Sequence, residues 1–156
     1  MGTIYCMCGL PGSGKTHFAK DFAVANGLKY FSPDDYHEKI NGDACDRSHI
    51  FEVWHTMFKD IHDAAVAGEN VMIDSDNLTF TQRMQWVEWF PEFKHRVLFY
   101  FDRSFAKCQT MMFNRTRIVP IEAMEAKAAK WENPSIGRDR DYWNQIYCLS
   151  DLLEDG

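Results

Sequence analysis

Eight consecutive residues near the start of the chain have the pattern of a phosphate-binding loop. The segment GLPGSGKT, from Gly9 to Thr16, matches G-x-x-x-x-G-K-[ST] at every defined position. Glycines let backbone N–H groups curl around phosphate oxygens, and a helix that begins here directs its positive end at the same anion. We predict that Lys15 reaches the β- and γ-phosphates of ATP and that the Thr16 hydroxyl binds Mg²⁺. The predicted nucleotide-binding residues are Gly9, Gly12, Ser13, Gly14, Lys15 and Thr16.

Two aspartates follow the second predicted strand and form a candidate acceptor site. Ligands of open parallel sheets bind at the carboxyl ends of the strands, where Asp34 and Asp35 lie. A carboxylate close to an acceptor hydroxyl can orient it and accept its proton during phosphoryl transfer. We predict this role for Asp34, with Asp35 also on the acceptor side. The alternative is that both aspartates only complement the dipole of a helix that begins at Ser32.

Two more aspartates follow the third predicted strand. Asp74 ends an apolar run, as a Walker-B-type aspartate does, and Asp76 lies two residues further on. Asp74 is the predicted partner of Thr16 at the metal, either through a magnesium-bound water or by a hydrogen bond to the hydroxyl. Asp76 can do the same. An aspartate that only caps the next turn is the alternative for both.

Positive charge is concentrated in one part of an otherwise acidic chain. The formal net charge is −6, yet residues 94–118 carry six basic side chains against Asp102 alone, a balance of +5. Within this island, Arg115 and Arg117 lie between two predicted helices, and arginine suits a developing phosphoryl charge. We predict that residues from about 113 to 120 form a lid that closes over ATP and excludes water. The alternative is surface ion pairing.

Strands and helices alternate along the chain, which predicts an α/β, three-layer P-loop fold with a small parallel sheet flanked by helices. The terminal region 141–153 leaves two interpretations open, a weak helix or a short edge strand at 147–149. Cys6 and Cys8 are expected to be core residues on opposite faces of the first strand, so that they share no metal. The predicted strands cover residues 3–8, 28–31, 71–73 and 96–101, and the predicted helices cover 15–26, a segment from Ser32, 49–67, 79–90, 104–113 and 120–131.

Length and composition indicate a single soluble domain over residues 1–156. The chain is 46% apolar and 26% charged, which is ordinary for a globular protein with a packed core. No apolar run approaches the roughly 20 residues that span a bilayer, and no secretory leader precedes the first strand. The 5 cysteines are an odd number, which favours free thiols in the cytoplasm. The overall acidity argues against a long nucleic-acid footprint but is compatible with a short terminus or a nucleotide.

Four stretches together resemble the kinase domain of the bacteriophage polynucleotide kinases, within a wider group of small P-loop kinases that includes zeta-toxin-like proteins. They are the phosphate-binding loop, DDY at 34–36, VMIDSDNL at 71–78 followed by Arg83, and NRTRIVP at 114–120. Their order and spacing cover residues from about 3 to 130. The phage enzymes append a phosphatase domain, for which this chain has no room.

The resemblance implies roles for individual residues. Asp34 corresponds to the general base of the family, and Arg115 or Arg117 corresponds to the lid arginine that contacts the transferring phosphate. The family has an arginine three residues after the base, where it holds a substrate phosphate, whereas this chain has His37. Apart from the resemblance, the residues themselves suggest that Asp76 contacts Mg²⁺-bound water, hydrogen-bonds Thr16 or orients His37. They also suggest that Arg83, on a helix face, lies on the substrate side, with surface ion pairing as the alternative.

Three functions follow as hypotheses. The first is an ATP- and Mg²⁺-dependent kinase that phosphorylates the 5′-hydroxyl of DNA or RNA. The second is a kinase of a small hydroxylated molecule, such as a nucleoside, a modified base or a nucleotide sugar, which the acidic net charge and His37 favour relative to the first. The third is a regulatory protein that binds ATP without transferring phosphate, which the intact set of Lys15, Thr16 and Asp34 disfavours.

Overall fold

The computed structural model describes residues 2–43, 48–112 and 119–149. Within these ranges the chain forms a five-stranded sheet in the order β2-β3-β1-β4-β5, and every neighbouring pair is parallel. The predicted α/β fold with a small parallel sheet is therefore confirmed. In chain order the elements are β1 Thr3–Cys8, α1 Lys15–Asn26, β2 Lys29–Phe31, α2 Pro33–Asn41, α3 Ile50–Val66, β3 Val71–Ile73, α4 Phe80–Glu88, β4 His95–Tyr100, α5 Phe105–Met112, α6 Ile121–Lys130 and β5 Gln145–Cys148, with short 3₁₀ turns at Pro134–Ile136 and Arg138–Asp141.

The sheet has apolar packing on both faces, because helices cover both sides of a parallel sheet. On one face Ile4 packs with Met57 and Ile61 of α3 and with Trp86 of α4. On the other face Met7 packs with side chains of α1, including Ala19. The strand at the centre, β1, is therefore buried on both sides, which fixes the loop that follows it at the carboxyl edge of the sheet.

The C-terminal segment is a strand. β5 pairs in parallel with β4 from Val97 to Tyr100, so the strand interpretation is confirmed and a helix over 145–148 is wrong. The alternation of side chains explains this result. Ile146 and Cys148 pack on the core that contains Trp86, whereas Tyr147 stacks on Phe99 on the other face of the sheet.

The two cysteines of β1 point to the same face, contrary to the prediction. Cys6 and Cys8 are both fully buried and belong to one core cluster, because residues two apart on a strand share a face. Their assignment as core residues is confirmed. Burial raises the pKa of the Cys6 thiol well above its usual value, so this thiol stays neutral.

Within the described part of the chain, no helix is long and apolar enough to cross a bilayer.

Candidate active site

A cavity of about 320 Å³ opens where β1, β2 and β3 end. It is lined by residues from the loops that follow these three strands, and it collects most of the side chains that the sequence singled out. The sequence-predicted residues on its walls are Lys15, Thr16, Asp34, Asp35, His37, Asp74 and Asp76.

The phosphate-binding loop is held in place by its own backbone and by the loop after β3. The Gly9 N–H donates to the carbonyl oxygen of Asp76 at 3.0 Å, which joins the two strand ends. Gly12 has φ +81°, and a Cβ at this position would lie 2.4 Å from the carbonyl oxygen of Cys108, so only glycine fits without movement of the backbone. The Ser13 hydroxyl oxygen is buried and has no hydrogen-bond partner among the described residues, as suits a group that contacts a bound anion.

Helix α1 presents an open positive end to this loop. Its N-cap is Gly14, with φ 100°, which offers no side chain to bind the first N–H groups. The first turn contains no acidic residue. Because the first four N–H groups of a helix have no partner within the helix, this end is suited to bind an anion such as phosphate.

Lys15 forms part of a three-membered charge cluster. Its ammonium nitrogen lies 2.8 Å from Asp76 Oδ1, and the other carboxylate oxygen of Asp76 accepts from Lys127 at 2.5 Å. Burial alone would raise the pKa of Asp76, but the two ammonium groups outweigh it and lower the pKa to about 2. The cluster thus places a permanent carboxylate against the lysine that is expected to bind phosphate. Asp76 lies on the cavity wall as predicted, but its carboxylate oxygens contact Lys15 and Lys127.

Helix α2 carries the candidate acceptor residues in its first turn. Ser32 is the N-cap and accepts from the Asp35 N–H at 3.5 Å, and Pro33 occupies the first helical position. Asp34 is half-buried and Asp35 is exposed, and both line the cavity. Their position at the positive end of α2 fits the dipole alternative as well, and one carboxylate can serve both purposes. His37, one turn further on, is buried against the same cavity.

Asp74 is oriented by a tyrosine. The Tyr30 hydroxyl donates to Asp74 Oδ2, while Oδ1 is buried and has no hydrogen-bond partner in the described structure. Burial and the neighbouring carboxylate raise the pKa of Tyr30 far above its usual value, so the phenol remains a donor. Mg²⁺ prefers oxygen ligands, keeps several waters and typically uses one or two carboxylates together with substrate phosphates. The unpartnered oxygen of Asp74 and the Thr16 hydroxyl on the same cavity fit such an ion.

Arg83 does not lie on the cavity wall. Its guanidinium is 1% exposed and binds Asp139 through two hydrogen bonds, from Nε to Oδ1 at 2.7 Å and from Nη2 to Oδ2 at 3.0 Å. A third bond runs from Nη1 to the carbonyl oxygen of Asn77 at 2.9 Å. We therefore correct its assignment from a substrate-side residue to a buried group that fixes the loop after β3.

Some residues on the cavity wall carried no signal in the sequence analysis, among them Tyr30, Trp54 and Lys127. Lys127 comes from α6 and meets Asp76 across 51 positions of sequence, so no local motif indicates it. Tyr30 lies one residue before the end of β2. Ligands of parallel sheets bind at the carboxyl ends of the strands, so a search of strand ends for tyrosine as well as aspartate would have found it.

The predicted lid and the end of β4 contribute little to the described walls of this cavity. Arg115 and Arg117 lie outside the described residues, as does the 113–118 part of the predicted lid, whereas Val119 lines the cavity. Asp102, at the end of β4, instead accepts from the Asn133 side chain at 3.1 Å.

The sheet order, the phosphate-binding loop and the strand-end carboxylates define a fold of the P-loop kinase type. A family model described as an AAA domain matches residues 4–134, and the chain belongs to that family. A search of curated proteins finds no match to the sequence.

Solved structures share this fold at low sequence identity. A gluconokinase from Sinorhizobium meliloti 1021 is 19% identical, with a TM-score of 0.64, over 98% of this chain and 86% of that one. A shikimate kinase from Bacteroides thetaiotaomicron is 17% identical, with a TM-score of 0.59, over 98% of each chain. A chain of the Pnkp1/Rnl/Hen1 RNA repair complex is 18% identical, with a TM-score of 0.73, over 83% of this chain but only 43% of that one.

Proposed function

We propose that this protein is an ATP-dependent phosphotransferase that moves the γ-phosphoryl group to a hydroxyl, foremost the 5′-hydroxyl of a polynucleotide. One observation carries the proposal. A single cavity is shared by Lys15 and Thr16 of the phosphate-binding loop and by the carboxylates of Asp34 and Asp74. Donor and acceptor groups can therefore meet in one cavity.

The proposed reaction is a direct displacement. The acceptor oxygen forms a bond to the γ-phosphorus, the bond from that phosphorus to the β–γ bridging oxygen breaks, and ADP leaves. Asp34 orients the acceptor hydroxyl and accepts its proton. Lys15 and the N–H groups at the start of α1 neutralise charge on the phosphate oxygens, which is the larger part of catalysis in phosphoryl transfer. Mg²⁺, when bound by Thr16 and Asp74, supplies further neutralisation of the phosphates.

A second cavity, of about 590 Å³, suits the base of the donor nucleotide. It lies beside Gly14 and is lined by Phe101, Arg103 and Met111 and by side chains of α1, both apolar (Phe18, Phe22, Ala25) and polar (His17, Asp21, Asn26). The Arg103 guanidinium is 5.1 Å from the Phe101 ring centroid and also donates to the Ser13 carbonyl oxygen at 3.0 Å. A planar base can stack on such a surface while its phosphates occupy the adjoining loop.

The polynucleotide acceptor is supported by the DDY motif that begins at Asp34 and by the likeness to a chain of an RNA repair complex. A small hydroxylated acceptor is the second candidate. The observation in its favour is the volume of the active cavity, about 320 Å³, at the lower end of small-molecule sites. The likeness to a gluconokinase and a shikimate kinase accords with it.

Labelled transfer from [γ-³²P]ATP separates these functions. The acceptors are a 5′-hydroxyl oligonucleotide, the same oligonucleotide with a 5′-phosphate, a panel of nucleosides, a panel of sugar acids and polyols, and buffer alone. We expect label in the 5′-hydroxyl oligonucleotide and none in its 5′-phosphorylated control. Label confined to a small acceptor would establish the second candidate, and no transfer to any acceptor would overturn the assignment as a phosphotransferase.

A further inference from the structure

A larger groove continues from the active cavity along α3 and α4. Its volume is about 650 Å³, and it shares Trp54, Asp76 and Lys127 with the active cavity. The two cavities therefore adjoin, on the side of the active cavity that Trp54, Asp76 and Lys127 line. The function proposed above leaves the groove without a role.

Aromatic rings form the floor and one edge of the groove. Phe58 lies edge-on to both Trp54 and Trp89, with centroid distances of 5.4 and 5.0 Å. Below them the buried Trp86 ring contacts Phe58 at 5.5 Å, so the rings are held in fixed positions. Trp89 is nevertheless 55% exposed, and Phe51 at the rim is 89% exposed.

Two lysines also line the groove. Lys127 and Lys130, one turn apart on α6, both line the groove. Lys127 neutralises Asp76 at the junction with the active cavity, and the Lys130 side chain is exposed at the far end. The groove thus combines aromatic rings with the exposed ammonium group of Lys130, while Lys127 is paired with Asp76.

We infer that this groove binds the first nucleotides of a single-stranded nucleic acid whose 5′ end enters the active cavity. Aromatic side chains beside basic residues are the features by which proteins hold single strands without sequence preference, because every base has a face that can stack. The inference rests on the proposed function and extends it. A small polyol would fill the active cavity alone and would gain nothing from Phe51, which lies outside that cavity.

Direct binding tests the groove independently of phosphate transfer. A six-nucleotide single strand with a 5′-hydroxyl and a 3′-fluorescein is titrated with the full chain, and binding is followed by fluorescence anisotropy. We expect Phe51→Ala to weaken binding about 5-fold or more, since stacking contributes roughly 1–3 kcal/mol per base. Phe51→Tyr, which keeps a ring, should bind like the wild type. Val66→Ala removes an exposed apolar side chain from the same helix, away from the groove, and serves as the matched control.

Salt dependence tests the contribution of Lys130. A contact between the exposed Lys130 ammonium and one phosphate of a single strand contributes about −0.7 to the slope of log K against log[salt], whereas Lys127 is paired with Asp76. Lys130→Gln should reduce the magnitude of this slope by about 0.7, whereas Lys94→Gln, an exposed lysine outside the groove, should not change it.

The outcomes separate the groove from the enzymatic function. Phe51-dependent binding without phosphate transfer would support the groove and count against the kinase. Transfer to the oligonucleotide with unchanged binding and KM in Phe51→Ala would overturn the groove alone. The inference is also overturned if the strand does not bind at all, or if Phe51→Ala instead abolishes self-association in sedimentation, which would identify the surface as a contact between copies of the chain.

Discussion

Two ion-paired clusters meet the loop after β3, and they differ in almost every physical respect except charge. Arg83 and Asp139 are each 1% exposed, and two parallel hydrogen bonds join them. Lys15 and Asp76 meet through a single 2.8 Å contact on the wall of an open cavity, and the Asp76 side chain is 24% exposed. The first pair is fully hydrogen-bonded and excluded from solvent, whereas a ligand in the cavity can replace a partner of the second pair.

The difference separates a structural charge from a functional one. Arg83 also donates to the Asn77 carbonyl oxygen, and Asn77 in turn binds Trp86 and the backbone of β1, so the pair belongs to a closed buried network. Burial raises the pKa of the neighbouring Cys8 thiol to about 12 in spite of the attraction of Arg83, so the thiol stays neutral and Asp139 alone balances the guanidinium. Lys15, by contrast, adjoins the open end of α1, where phosphate can compete with Asp76.

The largest expected effect comes from breaking the buried pair. Arg83→Met leaves the Asp139 carboxylate buried without its counter-ion, and such changes cost about 3–5 kcal/mol in the free energy of unfolding. Urea denaturation measures the loss. Arg140→Met is the control, at an exposed position next to Asp139 in the same 3₁₀ turn, and it should cost less than about 0.5 kcal/mol. A loss below 1 kcal/mol in Arg83→Met would show that the pair is not structural.

The opposite pattern is expected for the cavity cluster. Lys15→Met should slow transfer about 100- to 1,000-fold, as for removal of one preorganised stabilising group, because the γ-phosphate loses its ammonium partner. Asp76 keeps Lys127, so the free energy of unfolding should change by less than about 1 kcal/mol. Single-turnover transfer and urea denaturation of one preparation give both values, with Lys94→Met as the control. A fall in stability as large as that of Arg83→Met would erase the distinction between the clusters.

A smaller effect is expected in acid. The pKa of Asp76 is about 2 in the folded chain and 3.8 in its unperturbed state, so its contribution to stability is complete above pH 4 and is lost as the pH falls towards 2. The loss amounts to about 2 kcal/mol. Urea denaturation of the wild type and Asp76→Asn across this range measures it, and the variant should lack this part of the pH dependence. If the free energy of unfolding fell equally with pH in the wild type and in Asp76→Asn, the pairing of Asp76 with the two lysines would be contradicted.

Sequence reasoning located the parts of the site that depend on local signals or on sheet topology. The phosphate-binding loop is contiguous, and the strand-end rule brought Asp34, Asp74 and Asp76 to one cavity although about 40 residues separate the first two. It failed where a partner came from a distant helix or turn. Arg83 meets Asp139 across 56 positions, and no pattern near either residue indicates the pair.

The fold was predicted with similar success and for similar reasons. Strands β1, β3 and β4 are apolar runs that a parallel sheet buries on both faces, so composition alone indicates them. β5 is only partly buried, alternating between half-buried and exposed residues, and its sequence is compatible with a helix or a strand. Its pairing with β4 is a tertiary interaction, and tertiary context decides such short, weakly patterned segments.

The most direct test of the account is a pair of measurements on Asp34→Asn, with Glu38→Gln from the same helix as its control. Asparagine keeps the shape of the side chain but cannot accept the proton of the acceptor hydroxyl, so single-turnover transfer should fall about 100-fold or more. The calorimetric Kd for ATP should stay within about threefold of the wild type, because we propose that the loop at Lys15, and not Asp34, holds the phosphates. Transfer at the wild-type rate in Asp34→Asn would contradict the account.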